Sequence, residues 1–556
     1  MIKFLLAGLA SVFILSACQH GSKSSAAEEP HSWRNATIYF LMTDRFFDGD
    51  PDRNSAYGRQ PDGDKLRSFL GGDLQGVIDK LEAGYFDDLS VTAIWTTPVL
   101  EQVHMPFQEF GRSYAFHGYW IQDWTSVDAA FGDEETFARF VELAHERNIR
   151  VVVDVVINHA GPEIDGDHPK WPADWVRSAP ACDWQSFAGN ATCVIVPALQ
   201  DILTESEVPV SLPPQLVAKW KAEGRYEQEM AELDAFFERT GYPRAPKYYI
   251  VKWLTDWVRE YGVDAFRADT AKHVEPEVWV LVKKEAAIAL KEWQAKNPEK
   301  AFHDDDFYMF GEVYNYGIAG FDRAVPGTRL FDFGDIQVDF FDYGFDGLIN
   351  MGFPTHARMD MPELFELYSS ELNGVFDGVD FISYMSSHDD QSPLDAERED
   401  AWTNAIKFVL VPGAIQIYYG DETNRSLKVE GTTGDATLRS FMNWDELNVE
   451  DTQRILEHWQ KLLAFRRANR AVGDGVHREI SREPFVFSRT RAGDMDGDAI
   501  LVAVDETNAF SKIPTGETFQ DGERLIDNYS GEAVTVEDSQ IAFSSPRRIA
   551  LLSKVR

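Results

Sequence analysis

Acidic and basic side chains collect where the apolar runs of this sequence end. Asp154, Asn158 and His159 close one run, Arg267 and Asp269 another, Glu312 a third, and His388, Asp389 and Asp390 a fourth. Carboxylates gathered with an arginine and histidines serve two kinds of reaction. They can hold a metal that activates water, or they can cleave a glycosidic bond with one carboxylic acid and one carboxylate. Solvated loop residues would account for one or two of these positions. They would not account for carboxylates ending several runs beside Arg and His.

Those residues meet only if the runs are neighbouring parallel strands. Short, nearly continuous apolar runs alternating with amphipathic stretches are the pattern of strands buried on both faces and joined by helices. The runs 91–99 (VTAIWTTPV) and 149–157 (IRVVVDVVI) are the clearest. Between them Phe137, Phe140, Val141 and Ala144 recur at helical spacing behind a candidate N-cap, Asp133. Runs at 38–46, 265–269, 307–313, 381–385 and 414–419, with a weaker one at 347–351, bring the count to eight. Eight such units predict an α/β fold of the (β/α)8 TIM barrel type, in which catalytic groups sit at the C-terminal ends of the strands. An open doubly wound sheet is the alternative.

A chain of 556 residues exceeds what one core usually supports. The expected organisation is a barrel over 33–159 and 247–471, with an inserted domain over 160–246 after strand three. That insert holds Cys182, Cys193 and a charged helical segment at 218–239. A small C-terminal β-sandwich domain is expected over 472–556, where short apolar strands such as 500–504 and 549–552 replace the alternation.

Four short motifs in order, DVVINH (154–159), GVDAFRAD (262–269), FGEV (310–313) and SHD (387–389), resemble the signatures of glycoside hydrolase family 13, the α-amylase family. HGYW (117–120), WTTP (95–98) and the stretch from Pro412 to Glu422 are similar to its secondary signatures, so the resemblance spans roughly 33–470. It implies a retaining double displacement, with Asp269 as nucleophile and Glu312 as acid/base, Asp389 holding sugar hydroxyls and Arg267 keeping Asp269 ionised. It further implies sugar contacts from His117, Tyr119, His159 and His388, and leaving-side contacts from Lys272 and His273. YMSSHD (384–389), AKHV (271–274) and LQDILTES (199–206) resemble the periplasmic members of Gram-negative bacteria. Ser387 stands where many members carry Asn.

The same resemblance implies a structural Ca²⁺. Asn158, the carbonyl of His273 and an acid of the insert, for which Asp201 is the candidate, would supply oxygen ligands. A second, loop site would use Asp48, Asp50, Asn54 and Asp73, although Arg53 occupies a position where the family often has Asn. An Asp/Gly-rich turn is the plain alternative there.

The N-terminus reads as an export signal: Lys3, an apolar run at 4–15, then Leu15-Ser-Ala-Cys18, which resembles a lipobox ending at the lipidated Cys18. A plain secretory signal is the alternative, and 19–32 reads as a tether. Gln19 after the cysteine favours the outer membrane, at the periplasmic or cell-surface side. An oxidising compartment would permit a Cys182–Cys193 disulfide, with two free thiols as the other outcome. With 53 basic and 92 acidic side chains the net charge is −39, a field that repels nucleic acid and anionic lipid but leaves a neutral carbohydrate untouched. The expected partner is therefore an α-glucan or maltodextrin, with membrane contact only through the lipid anchor, and the expected state a monomer. A glucan-transferring or cyclodextrin-processing enzyme and a non-catalytic glucan-binding lipoprotein are the rival readings.

Overall fold

Eight parallel strands close into a barrel: β1 (Thr37–Leu41), β2 (Ala93–Thr96), β3 (Arg150–Val155), β4 (Ala265–Ala268), β5 (Tyr308–Gly311), β6 (Gly347–Asn350), β7 (Asp380–Ser383) and β8 (Ala414–Tyr418). This computed structural model describes residues 32–108, 111–390, 392–491 and 498–555. The expected leader, Cys18 and nearly all of the tether lie outside the described residues. Each strand pairs in parallel with its sequence neighbours and β1 closes on β8, so the sheet has no free edge. Strands β1, β2 and β3 are buried along their whole length, as continuous apolar runs between an inner core and outer helices require.

The helix Glu134–Glu146 starts at Asp133, whose Oδ1 accepts the N–H of Thr136 at 2.8 Å. Two longer helices, Pro246–Tyr261 and Pro276–Lys296, pack against each other outside β4. The first expected strand, 38–46, ends sooner than its apolar content suggests. After Leu41 the chain turns helical over Thr43–Phe46, because Asp44 accepts the N–H groups of Leu70 and Gly71 and Arg45 donates to the carbonyl of Leu66.

Between β3 and the helix at Pro246 lies a three-stranded sheet of His159–Ala160, Gln200–Ile202 and Val176–Arg177. The charged helical segment expected at 218–239 is two helices, Pro214–Glu223 and Tyr226–Thr240. Gly224 separates them with a φ of 78°, a conformation that glycine adopts without strain. Lys219 and Arg225 return to the buried Asp123 at 2.6 and 2.9 Å and tie this segment to the barrel.

After the barrel a six-stranded antiparallel sheet faces a two-stranded one, formed by Phe510–Pro514 and Gln540–Arg547. Alternation sorts its side chains. Val486, Leu501 and Leu552 pack toward the two-stranded sheet, whereas Phe487, Val502 and Leu551 join the barrel's core. Arg489 crosses that junction and donates to the carbonyls of Leu410 and Val472.

Candidate active site

Register puts the charged groups together. Arg267 of β4 stands opposite Asp154 of β3, and Ala268 stands opposite Gly311 of β5, so Asp269 and Glu312 each emerge one residue past adjacent strands. Their backbones are still held by the sheet: Asp269 N–H donates to Val155 and Glu312 N–H to Ala268.

One guanidinium is the hub. Arg267 Nη1 lies 2.6 Å from Asp269 Oδ1 and 2.9 Å from Asp154 Oδ1, and Nη2 lies 3.0 Å from Glu312 Oε2. Asp154 also accepts from Trp95 Nε1 at 3.1 Å and from the Tyr119 hydroxyl at 2.9 Å. Glu312 accepts the N–H of Thr270, a residue in the left-handed region at φ 50°. Strain of that kind is found where a site must be aimed. Burial pushes the carboxyls of Asp154, Asp269 and Glu312 upward, and the Arg267 charge opposes it. Three buried carboxyls sharing one cation favour retention of a proton among them. Glu312 has the longer contact to the guanidinium, and Asp269 the shorter.

Asp389 is held differently. Against the cost of burial, His388 and then Arg439 and Arg267 keep its carboxyl well below the usual range. His388 Nε2 lies 3.0 Å from Asp389 Oδ2, and Arg439 Nη2 donates to Oδ1 at 2.6 Å. The tyrosine ring of Tyr119 stacks near that of His388 at 5.3 Å. His159 Nε2 donates to the carbonyl of Tyr119 at 3.0 Å, and burial lowers its pKa to about 4. His117 sits one step behind, accepting the N–H of Tyr119, and burial drives its pKa well down. Gly118 makes this turn feasible: its φ is +91° and a Cβ there would meet the Pro98 carbonyl at 2.3 Å.

The pocket over these groups is lined by Trp95, Arg267, Glu312, Tyr384, His388 and Asp389 among others. Lys272 and His273 do not line it; they face an adjoining cavity. Sequence reasoning named Asp154 without giving it a role and missed Arg439, which lies in a loop with no periodicity to mark it.

For a cation, the structure brings Asn158, Asp201 and His273 together. The Asn158 amide nitrogen is 3.0 Å from both Asp201 Oδ1 and the His273 carbonyl. An Asn side chain can present either end, and with its oxygen inward this set is all oxygen, the donor type of Ca²⁺. Burial pushes the Asp201 carboxyl up to about 8 even with Arg177 beside it, so its charge is under-compensated. In the loop, Asn54 donates to Asp48 at 2.8 Å, and Asp48 Oδ1 is buried without a hydrogen-bond partner among the described residues. Asp73 caps the helix Leu74–Glu82 and accepts the N–H groups of Gly49, Asp50 and Gly76. Asp50 departs from the expected ligand set. Its Oδ2 is taken by Arg53 at 3.0 Å, which also reaches Asp133 at 2.6 Å. No cluster of three or more His, Cys, Asp or Glu suited to a metal occurs among the described residues. Cys182 and Cys193 form a disulfide, with Cα atoms 4.9 Å apart.

A closed (β/α)8 barrel with acid, carboxylate and arginine at its strand ends defines a glycoside hydrolase. The family model described as "Alpha amylase, catalytic domain" matches residues 40–469, and this chain belongs to the α-amylase family. It is 32% identical over 503 residues to the periplasmic alpha-amylase of Escherichia coli (strain K12), covering 80% of this chain and 69% of that protein. It is 25% identical over 532 residues to a cyclomaltodextrinase of Geobacillus thermopakistaniensis (strain MAS1), covering 92% and 76%. The crystal structure of the α-amylase from Geobacillus thermoleovorans complexed with acarbose has the same fold, with a TM-score of 0.65 at 20% identity, 95% of this chain and 100% of that one.

Arg439 generates a pH prediction. Removing a cation 2.6 Å from Asp389 should raise that carboxyl's pKa, but His388 still holds it down and Asp269, pushed up to about 6 by burial, still sets the acid limb of kcat/KM. Arg439→Met should therefore lower kcat/KM about tenfold or more at every pH with the acid limb unmoved. A kcat/KM close to wild type would show that Arg439 is not needed to hold Asp389.

Proposed function

We propose that the chain hydrolyses α-1,4-glucosidic bonds of starch-like polysaccharides or maltodextrins with retention of configuration. The observation that carries this reading is the single buried guanidinium of Arg267, which lines the pocket with Glu312 and is shared by Asp269 and Glu312. Asp269 attacks the anomeric carbon while Glu312 gives its proton to the departing glycosidic oxygen, leaving a glycosyl ester on Asp269. Glu312, now a carboxylate, takes a proton from water as that water attacks the anomeric carbon. The ester bond breaks, and Asp269 returns as a carboxylate. Burial raises both carboxyls against the Arg267 charge, and the longer contact of Glu312 to the guanidinium, against the shorter one of Asp269, favours the proton on Glu312. Asp389, ionised beside His388 and Arg439, accepts sugar hydroxyls, while His159 stays neutral above about pH 4 and spends its one N–H holding the Tyr119 backbone in place. Tyr119 offers its ring to a sugar face.

Transfer to sugar instead of water is the second reading. Relatives named cyclomaltodextrinase and cyclomaltodextrin glucanotransferase support it, because acceptor choice lies in loops outside the shared motifs. Export to the periplasm or cell surface is supported by the disulfide and by the relative named as periplasmic, while Cys18 as an outer-membrane lipid anchor rests on the lipobox-like Leu15-Ser-Ala-Cys18 alone. No helix among the described residues is long and apolar enough to cross a membrane.

Calcium binding is frequent in this family. Asn158, Asp201 and the His273 carbonyl would hold one ion between insert and barrel, and Asp48, Asn54 and Asp73 a second. When bound, the first would neutralise Asp201 and fix the insert over the cleft; it has no part in the bond-breaking steps.

Asp269→Asn and Glu312→Gln should each lower kcat on soluble starch by at least about a thousandfold, with melting temperature within a few degrees of wild type. Near-normal turnover in either variant would remove its assigned role. Chelation should lower the melting temperature by several degrees, about 1–2 kcal/mol for a domain-sized unit, with recovery on added Ca²⁺ and not on Mg²⁺. A melting curve indifferent to chelator would count against both calcium sites.

A further inference from the structure

Asp269 and Glu312 each stand one residue past a strand, but Asp389 comes six residues after Ser383, the last of β7. Its side chain is 42% exposed, against 8% and 11% for the other two. The place of Asp389 therefore depends on how its segment is fastened, and two serines divide that work. Ser387 folds the segment on itself: its Oγ accepts the N–H groups of Asp389 and Asp390 at 3.3 and 3.2 Å. Ser386 fastens it to the barrel. Its Oγ donates to Asp421 Oδ1 at 2.6 Å, and both residues are buried.

Asp421 follows β8, the strand beside β7, and its N–H still donates to the Tyr418 carbonyl at 2.9 Å. The oxygen that takes Ser386 also takes Arg398 Nη2 at 2.7 Å. Oδ2 is left buried without a hydrogen-bond partner among the described residues, which costs stability. Arg398 has a φ of 58°, an unfavourable conformation for a long side chain, and its Nε donates to the Arg425 carbonyl at 3.0 Å. The buried guanidinium of Arg425 donates in turn to the Leu438 carbonyl at 3.1 Å and to Ser440 Oγ at 2.8 Å, the residues on either side of Arg439. Arg439 holds Asp389 at 2.6 Å and the His388 carbonyl at 3.0 Å. One buried carboxylate thus fastens both segments that grip Asp389.

Neither Ser386 nor Asp421 lines the pocket, so any effect of theirs on the reaction passes through the residues they hold. Resting on the glucan reading above, we propose that Asp421 is a positioning residue for this reaction, fixing through Ser386 and Arg398 where Asp389 stands against the sugar. Hydrogen bonds to sugar hydroxyls strengthen toward the transition state, and a displaced Asp389 loses that gain while ground-state binding changes little. The loss falls on kcat, with KM nearly unchanged.

The test uses the full chain and α-maltotriosyl fluoride, whose activated bond keeps slow variants measurable. Ser386→Ala should lower kcat about tenfold with KM within about twofold of wild type, and Ser386→Thr, which keeps the hydroxyl, should restore most of the loss. Asp421→Asn and Arg398→Gln should move kcat in the same direction, and Arg398→Gln carries the test if Ser386→Ala does not fold. In the Asp389→Asn background the same Ser386→Ala change should cost less than about twofold, because the group it acts through is gone. An unchanged kcat in Ser386→Ala, or an equal loss with and without the Asp389 carboxylate, would overturn the proposal and leave Asp421 a stabilising contact only. Wild-type protein inert toward both the fluoride and maltoheptaose would be a different failure, that of the glucan reading itself.

Discussion

Three buried carboxylates converge on one guanidinium, and most of the molecule is arranged so that they can. Asp154, Asp269 and Glu312 share the single positive charge of Arg267 in a setting where each bare charge would cost several kcal/mol. The shortage of cation is useful. It leaves proton affinity in the cluster, which the proposed reaction would use through Glu312, the closest contact to the guanidinium being that of Asp269. Asp389 lies outside that shortage, with His388 and Arg439 to itself. Two differently balanced carboxylate environments in one pocket allow an acid and two anions to coexist at one pH.

The barrel supplies the precision this balance needs. Arg267 and Asp154 are register partners on neighbouring strands, so their contact is set by backbone hydrogen bonds rather than by loops. Asp269 and Glu312, just past their strands, remain tied to the ladder through their own N–H groups. Loops then add contacts around that frame. The insert brings Asp201 to Asn158 and the disulfide loop to His273, and the antiparallel domain buries Phe487 and Val502 against the barrel's outer side.

How much of this the sequence disclosed follows from where periodicity exists. All eight barrel strands were legible because both faces are buried, which writes each as an apolar run, and the polar residue that stops a run is the one aimed at the site. The first strand was read too long, since Phe46 is apolar in a helical turn that Asp44 and Arg45 create through long-range bonds. Asp50, an expected cation ligand, pairs with Arg53, which Asp133, eighty positions away, also holds. Arg439 lay in an irregular segment where composition carries no direction.

The central claim is that Asp269 forms and then loses a covalent bond to the sugar, so that two inversions restore the starting configuration. Proton NMR of the first reducing ends released from maltoheptaose, read before mutarotation, tests it most directly. The account predicts that the α anomer appears first and the β anomer grows in only at the rate of mutarotation. A product that is initially β would mean a single displacement by water and would contradict the role given to Asp269.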